Sequence, residues 1–209
     1  DLYPLKTEYG LNGTLAQFQY GNMQISVDSN LVGAYNLYNI MAAIAVCLTM
    51  GVQPKTISRA MKQPLIIPGR LEVIPVNTPG KIFIDYAHTP DAYEKIFSTL
   101  SHIYSEETTI YTVFSCGGSR DSRKRSEMAT IAEKYSDFVI VTTDNPRKES
   151  LEIINSDIVD GFNGNNYEII LERKDAIYKM MNQMDEKSIL LVLGKGREYY
   201  QEIGTEKIP

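Results

Sequence analysis

The sequence has little of what marks a membrane protein, a disulfide-stabilised domain or a nucleic-acid-binding protein. No apolar run approaches the roughly 18 residues that a membrane-spanning helix needs, so we expect no membrane segment. The two cysteines, Cys47 and Cys116, lie far apart and cannot form a disulfide framework. With two histidines and no Cys/His cluster, we expect no metal site. The net charge of −5 lacks the basic surplus of a typical nucleic-acid binder, so we expect no nucleic-acid partner.

Two nucleotide-binding motifs are also absent. No segment fits the phosphate-loop pattern G-x-x-x-x-G-K-S/T, and Gly194-Lys195-Gly196 does not complete it. No G-x-G-x-x-G follows the first strand predicted in the second part of the chain, which argues against a nicotinamide oxidoreductase. The sequence lacks an initiator Met and a signal peptide. Because it begins at Asp1 and ends at Pro209, we expect it to be a piece of a longer protein.

What is present begins with a predicted hairpin and two helices. Apolar and polar residues alternate over 14–20 and again over 23–27, and Gly21-Asn22 between them is a hairpin turn signal. Apolar residues at helical spacing predict a buried helix over 36–50, and a short helix follows over 54–61.

The pattern changes after a stretch rich in proline and glycine at 64–69. We place a domain boundary there, which divides the chain into 1–69 and 70–209. Beyond it, short apolar runs alternate with amphipathic helices, which is typical of a mostly parallel, doubly wound α/β sheet. The runs predict strands at 82–84, 110–114, 138–141, 169–171 and 189–193. The apolar stripes between them predict helices over 92–103, 128–135, 151–158 and 177–184.

Polar segments follow four of these predicted strands, and such sheets bind their ligands at the carboxyl ends of the strands. The segments are 85–90, 115–121, 143–147 and 194–198. Arg120 and Arg147 offer guanidinium groups to carboxylates, whereas Asp144 and Glu198 offer carboxylates to ammonium groups. Cations at 120–125, where a helix begins, oppose the helix dipole and favour an anionic ligand. Opposite charges displayed together suit a zwitterionic amino acid.

Each segment also has an ordinary structural interpretation. Thr89-Pro90 is a good helix start, and Asp85 and His88 could satisfy loop amides. Asp-Asn-Pro at 144–146 is common turn chemistry, and the glycines around Lys195 could form a simple turn.

Six segments, taken in order, resemble the Mur ligases, most closely those that add the third residue of the peptidoglycan stem peptide. They are 33–39 with Ala42-Ala43, 68–72, 85–90, 117–121 with Lys124-Arg125, 144–147, and 194–198 with Tyr200-Gln201. The resemblance implies a cytoplasmic, monomeric, ATP- and Mg²⁺-dependent ligase. It would join an amino acid to a UDP-N-acetylmuramoyl dipeptide through an acyl phosphate. Residues 1–69 would be the back part of the α/β ATP-binding central domain. Residues 70–209 would be a slightly truncated, Rossmann-like amino-acid-binding domain with helices on both sheet faces.

The resemblance also implies site residues, none of them catalytic and none a metal ligand. Those on the nucleotide side are Asn36, Asn39, Arg70, Asp85 and His88. Those in the amino-acid pocket are Arg120, Asp144, Asn145, Pro146, Arg147, Gly194 and Glu198. An arginine after Asp-Asn-Pro is the form associated with meso-diaminopimelate, which resembles lysine with one more carboxylate.

The sequence departs from the family pattern at Ser119 and Arg197, where Asp and His are usual. These departures leave open a lysine-adding Mur ligase or a related ligase that adds glutamate to folate. The phosphate loop, the UDP-sugar domain and the carbamylated lysine of the family are absent. We therefore expect these 209 residues alone to lack ligase activity, and an amino-acid-binding module without catalysis is a further alternative.

Overall fold

The computed structural model describes residues 1–10, 13–105 and 107–209, which fall into two compact units. The first unit is Asp1–Ile67 with Ser98–Tyr104, and the second is Pro68–Phe97 with Ser105–Pro209. In the described residues no helix is both long and apolar enough to cross a membrane.

The first unit contains an antiparallel sheet and two helices. Its strands, in the order β1-β2-β3, are β1 (Leu2–Gly10), β2 (Gly13–Tyr20) and β3 (Met23–Ser29). The helices are α1 (Ala34–Thr49) and α2 (Pro54–Met61). The alternating pattern correctly predicted β2 and β3, because the buried residues Phe18 and Ile25 lie on the face that packs with Ile44 of α1.

Strand β1 was not predicted. Within the described residues its one partner strand is β2, at one edge of the sheet, and its side chains are mostly exposed, including Tyr3, Leu5 and Tyr9. The register shifts between Pro4 and Lys6. A strand without a buried face carries no period-two signal, and proline lacks the amide that a regular ladder requires.

The second unit is built on a six-stranded sheet. Its strands are β4 (Glu72–Ile74), β5 (Lys81–Asp85), β6 (Thr109–Phe114), β7 (Phe138–Val141), β8 (Tyr167–Ile169) and β9 (Ser188–Leu193), in the order β4-β5-β9-β6-β7-β8. Strand β4 is antiparallel to β5, and all the other pairs are parallel. The predicted mostly parallel α/β sheet is therefore confirmed.

Helices cover both faces of this sheet. They are α3 (Pro90–Ser101), α4 (Lys124–Tyr135), α5 (Leu151–Val159) and α6 (Arg173–Met181). On one face, Met180 of α6 clusters with Val113 and Leu190. On the other, the ring of Tyr93 in α3 meets Phe114 at 5.8 Å between ring centroids. Every residue of β9 is buried, as expected of a central strand that reads as a continuous apolar run.

Several boundaries differ from the predictions. The strand predicted at 169–171 lies at Tyr167–Ile169, and the helices predicted to reach 103 and 184 end at Ser101 and Met181. Three short strands, β4 and the hairpin of β10 (Gln201–Ile203) and β11 (Glu206–Ile208), were not predicted. Segments of three residues are too short for periodicity to show.

Candidate functional site

A cavity of about 280 Å³ lies at the carboxyl ends of four neighbouring strands, β5, β9, β6 and β7. Its lining residues are Tyr86, His88, Gly117, Arg120, Asp121, Lys124, Asp144, Asn145, Arg147, Gly194 and Glu198. All four polar segments contribute to it, because parallel neighbours end at the same edge of a sheet. The cavity therefore presents three cationic and three acidic side chains together.

Glu198 is held at the cavity by three side-chain donors. Its Oε1 accepts a hydrogen bond from Tyr86 Oη at 3.0 Å. Its Oε2 accepts from Asn145 Nδ2 at 3.0 Å and from Lys195 Nζ at 3.2 Å. Burial alone would raise the pKa of Glu198, but these three donors outweigh it and hold that pKa below its ordinary value. The group therefore stays anionic to a lower pH than an ordinary glutamate.

Asp144 is the second carboxylate of the cavity. Its Oδ1 accepts the amide of Asn145 at 2.5 Å, and its Oδ2 has no hydrogen bond within the described part of the chain. A Cβ on Gly194 would lie 3.3 Å from Oδ2, and Gly194 has φ 104°, which favours glycine. Because Gly194 has no Cβ, it leaves space for the carboxylate of Asp144, and its positive φ lets the chain turn directly after β9.

Arg147 lies across the cavity in a constrained conformation. Its φ is 53°, and its Nε pairs with Glu202 Oε2 at 2.7 Å. Its Nη1 donates to the carbonyl of Gly118 at 3.0 Å. Among the described residues, Nη2 has no partner, so one edge of the guanidinium remains for a ligand.

The basic residues at the start of α4 have different roles. Arg125 is fully buried and bonds Glu149 and Asp157, so the expectation that it faces an anionic ligand is wrong. Arg123 pairs with its neighbour Asp121 at the surface. Burying a guanidinium requires carboxylate partners, and two of them come from distant parts of the sequence.

Arg120 and Lys124 do line the cavity. Arg120 is exposed and has no ion pair among the described residues, whereas Lys124 Nζ donates to the carbonyl of His88 at 2.8 Å. Two of the cations at the start of α4 are therefore available to an anion.

The nucleotide-side residues of the second unit are not all in the cavity. His88 lines it, with its Nδ1 2.8 Å from the carbonyl oxygen of Tyr86. Asp85 is buried and does not line it, since Oδ2 accepts the amide of Leu71 at 2.6 Å and Oδ1 that of Ala87 at 2.7 Å. Burial raises the pKa of Asp85, and the two amides oppose that rise. Arg70 is exposed outside the cavity.

The remaining two predicted nucleotide contacts lie in the first unit, on α1. Asn36 is buried and its Nδ2 donates to the carbonyl of Val32 at 2.7 Å. Asn39 is exposed, and its Nδ2 donates to Asn36 Oδ1 at 3.2 Å. The side-chain oxygen of Asn39 accepts no hydrogen bond from the described residues, so it is available to a ligand. Asn36, in contrast, has a structural role at the start of the helix.

Pro146, Ser119 and Arg197 lie around the cavity rather than on it. The carbonyl of Pro146 leaves no room for a Cβ on Gly118, which explains the glycine there. Ser119 has φ 55° and its amide donates to Glu149 at 2.8 Å. Arg197 forms a two-pronged ion pair with Glu72 of β4, through Nε at 3.0 Å and Nη2 at 2.5 Å.

Sequence reasoning missed three residues that shape the site. Tyr86 and Lys195 both bond Glu198, and Glu202 pairs with Arg147. Lysine between two glycines and glutamate in a hairpin of three-residue strands have no distinctive pattern. Their roles arise because the loops after β5 and β9 and the β10–β11 hairpin lie beside the cavity.

Cys116, although it follows β6, does not line the cavity. It is buried, and burial raises the pKa of its thiol to about 12. In the described part of the chain no three His, Cys, Asp or Glu side chains are grouped so that they could hold a metal ion.

Comparison with known proteins identifies the family. A family model described as "Mur ligase, glutamate ligase domain" matches residues 69–196, so the chain belongs to the Mur ligase family. The UDP-N-acetylmuramoyl-L-alanyl-D-glutamate–2,6-diaminopimelate ligase of Bacillus cereus is 40% identical over 182 residues, which are 87% of this chain and 37% of that protein. The ligase of the same name from Aquifex aeolicus is 39% identical over 210 residues, covering 100% of this chain and 43% of its own length.

Solved structures share the fold of this chain. A structure of a 2,6-diaminopimelate ligase of this name is 32% identical with a TM-score of 0.66, covering 100% of this chain and 42% of its own. Mycobacterium tuberculosis folylpolyglutamate synthase, complexed with ADP and AMPPCP, shares the fold with a TM-score of 0.72 at 19% identity, covering 92% of this chain and 45% of its own. The chain thus spans between 37% and 43% of the length of these two curated relatives.

Proposed function

We propose that this chain supplies the amino-acid-binding domain, and part of the ATP-binding domain, of a ligase that adds meso-2,6-diaminopimelate to UDP-N-acetylmuramoyl-L-alanyl-D-glutamate. The observation that carries the proposal is one cavity in which Arg147 lies with Asp144 and Glu198. Two relatives bearing this ligase's name share 40% and 39% identity with the chain. We assign residues 1–69 to the ATP-binding domain and 70–209 to the amino-acid-binding domain.

The charges of the cavity suit one end of diaminopimelate. That end carries an ammonium and a carboxylate. Asp144 Oδ2, which has no hydrogen bond within the described part of the chain, and Glu198 can accept the ammonium. The unpartnered Nη2 of Arg147, with Arg120 on the same cavity, can bind the carboxylate. Both signs of charge are needed to bind this end, and both are present.

Lysine matches the same cavity less well. Its side chain ends in an ammonium alone. Nε of Arg147 would keep its ion pair with Glu202, but Nη2 would be left without a carboxylate. The side chain of Arg147 is only 23% exposed, so water replaces that partner poorly. A binding site whose polar groups pair with a polar group of the substrate strongly rejects analogues that lack that group.

The chain's part in the proposed reaction is binding and orientation. When bound with Mg²⁺, ATP would supply the phosphoryl group that activates the peptide carboxylate, with ADP as the leaving group. The cavity holds the far end of diaminopimelate, so that the amine at the other end can approach that carboxylate. On the nucleotide side we propose Asn36, Asn39, Arg70, Asp85 and His88, of which Asn39, Arg70 and His88 have exposed side chains.

Calorimetry tests amino-acid recognition on the chain as it stands. We expect meso-diaminopimelate to bind and L-lysine to bind at least roughly tenfold more weakly, since a lost charge-assisted bond is worth about 1.5–3 kcal/mol. Arg147→Ala should remove that difference. Arg59→Ala, at an exposed arginine of the first unit without an ion pair among the described residues, should leave it unchanged. Equal binding of both amino acids by the unmodified chain would contradict the assigned specificity.

The reaction itself is tested in a chimera in which this chain replaces the matching segment of the Bacillus cereus relative. Phosphate release should require diaminopimelate and the UDP-N-acetylmuramoyl dipeptide. Arg147→Ala should raise the KM for diaminopimelate roughly 10- to 100-fold and leave the KM for ATP nearly unchanged. The 209 residues alone, which lack a phosphate loop, should form no acyl phosphate.

A further inference from the structure

We propose that Lys195 is a positioning residue of the amino-acid site, which orients Asn145 and fills Oε2 of Glu198 so that Oε1 remains for the substrate ammonium. The inference rests on the function proposed above. It is carried by the burial of one lysine and by the hydrogen bonds around it.

Lys195 has no donor left for a ligand. It is buried, with 9% of its surface exposed. Its ammonium donates to Asn145 Oδ1 at 3.0 Å, to Glu198 Oε2 at 3.2 Å and to the carbonyl of Tyr200 at 2.8 Å. An ammonium has three hydrogens, and all three are used. Lys195 must therefore act through its neighbours rather than by contact with substrate.

The first neighbour is the amide of Asn145. Lysine donates only, so the group facing it must be the Asn145 oxygen, which also accepts the amide of Glu202 at 2.8 Å. The nitrogen of the same amide is then directed to Glu198 Oε2 at 3.0 Å. Lys195 and the backbone amide of Glu202 together fix which way the Asn145 amide lies.

The second neighbour is Glu198, and a count of acceptor positions shows what remains open. Oε2 receives both Asn145 and Lys195, whereas Oε1 receives only Tyr86. Each carboxylate oxygen accepts about two hydrogen bonds, so one position remains on Oε1. Asp144 lines the same cavity, and its Oδ2 has no hydrogen bond among the described residues. These two oxygens form the ammonium site.

Lys195 also keeps this site anionic. With it, the pKa of Glu198 lies below its ordinary value in spite of burial. Without Lys195, only the neutral donors Tyr86 and Asn145 oppose the effect of burial on the pKa of Glu198. That pKa should therefore rise, and the carboxyl should take up a proton at higher pH. The other charged or titratable groups on the cavity are Tyr86, His88, Arg120, Asp121, Lys124, Asp144 and Arg147. Asp144 Oδ1 lies 3.9 Å from Lys195 Nζ, so Lys195→Met changes the surroundings of two carboxylates, and the titration of Glu198 has to be followed at that residue itself.

The experiment compares the unmodified chain with Lys195→Met in two measurements. Calorimetry gives the affinity for meso-diaminopimelate at pH 7 and pH 5. NMR of the Glu198 carboxyl, assigned by its loss in Glu198→Gln, gives the titration of that group. We expect the unmodified chain to change affinity less than about twofold, and Lys195→Met to lose roughly tenfold or more at pH 5, with Glu198 titrating at higher pH. Lys148→Met, at an exposed lysine without an ion pair in the described residues, is the control and should match the unmodified chain.

Each outcome bears on one of the two claims. An unchanged Glu198 titration in Lys195→Met overturns the positioning role, whether or not diaminopimelate binds. Failure of the unmodified chain to bind diaminopimelate counts against the proposed function, and the titration still decides the role of Lys195. If Lys195→Met does not fold, Lys195→Met combined with Glu198→Gln leaves no charge at position 198 that has lost its ammonium partner. It should bind as Glu198→Gln does, and a further loss would contradict action through Glu198.

Discussion

The strongest quantitative prediction concerns Glu149, which links the loop after β6 to the start of α4. Its two oxygens accept Arg125 Nη1 at 2.6 Å and Nη2 at 2.7 Å, in a two-pronged pair with a fully buried guanidinium. The amide of Ser119 adds a third hydrogen bond at 2.8 Å. Arg125 first, and then Ser119, lower the pKa of Glu149 from 4.5 to about 2.

The sign of the pH dependence follows from this lowered pKa. A carboxyl whose folded pKa is depressed contributes stability that is fully present above its unfolded pKa. That contribution is lost as the pH falls from about 4.5 towards 2. The shift corresponds to about 3 kcal/mol at pH 7, but solvent reaches 22% of the side chain and screens the pair, so we expect about 1–2 kcal/mol.

Urea unfolding of Glu149→Gln measures the contribution. At pH 7 the variant should be about 1–2 kcal/mol less stable than the unmodified chain, and the difference should shrink steadily between pH 4.5 and pH 3. Glu186→Gln removes an exposed carboxylate that has no ion pair among the described residues, and should change stability by less than about 0.5 kcal/mol at every pH. A Glu149→Gln deficit that is constant from pH 7 to pH 3 would refute the electrostatic argument.

Three further predictions address the turn, the core and the thiols. Gly194→Ala should lower the free energy of unfolding in urea by about 1–3 kcal/mol, because its φ is 104° and the added Cβ would crowd Asp144. Gly204→Ala should cost less, because its added Cβ meets open space, and equal costs would contradict this argument. Phe18→Ala should cost about 3–5 kcal/mol by the same assay, because the ring is fully buried, and a cost below about 1 kcal/mol would contradict that packing. Iodoacetamide at pH 8 should label half-buried Cys47 and spare Cys116 until urea unfolds the chain, because Cys116 is buried and its thiol pKa is about 12. Mass spectrometry locates the label, and a native protein labelled first at Cys116 would count against this reasoning.

Much of the fold follows from local patterns in the sequence. The alternation around Gly21 predicts the β2–β3 hairpin because one face of that sheet is buried and the other is not. The alternation of apolar runs and amphipathic helices predicts the parallel sheet. Because parallel neighbours end together, the sheet in turn predicts that the polar segments containing Asp144 and Glu198 meet at one edge.

Tertiary contacts decided which charged groups remain available in that site, and a linear pattern cannot show this. Arg120 and Arg125 both lie in the basic stretch before and within the start of α4, yet Arg120 is exposed and Arg125 is fully buried against Glu149 and Asp157. Lys195 lies between two glycines in the sequence, and only the folded structure shows that its ammonium bonds both Glu198 and Asn145. Burial and pairing depend on side chains that come from distant segments, and short edge strands lack the periodicity that local reasoning needs.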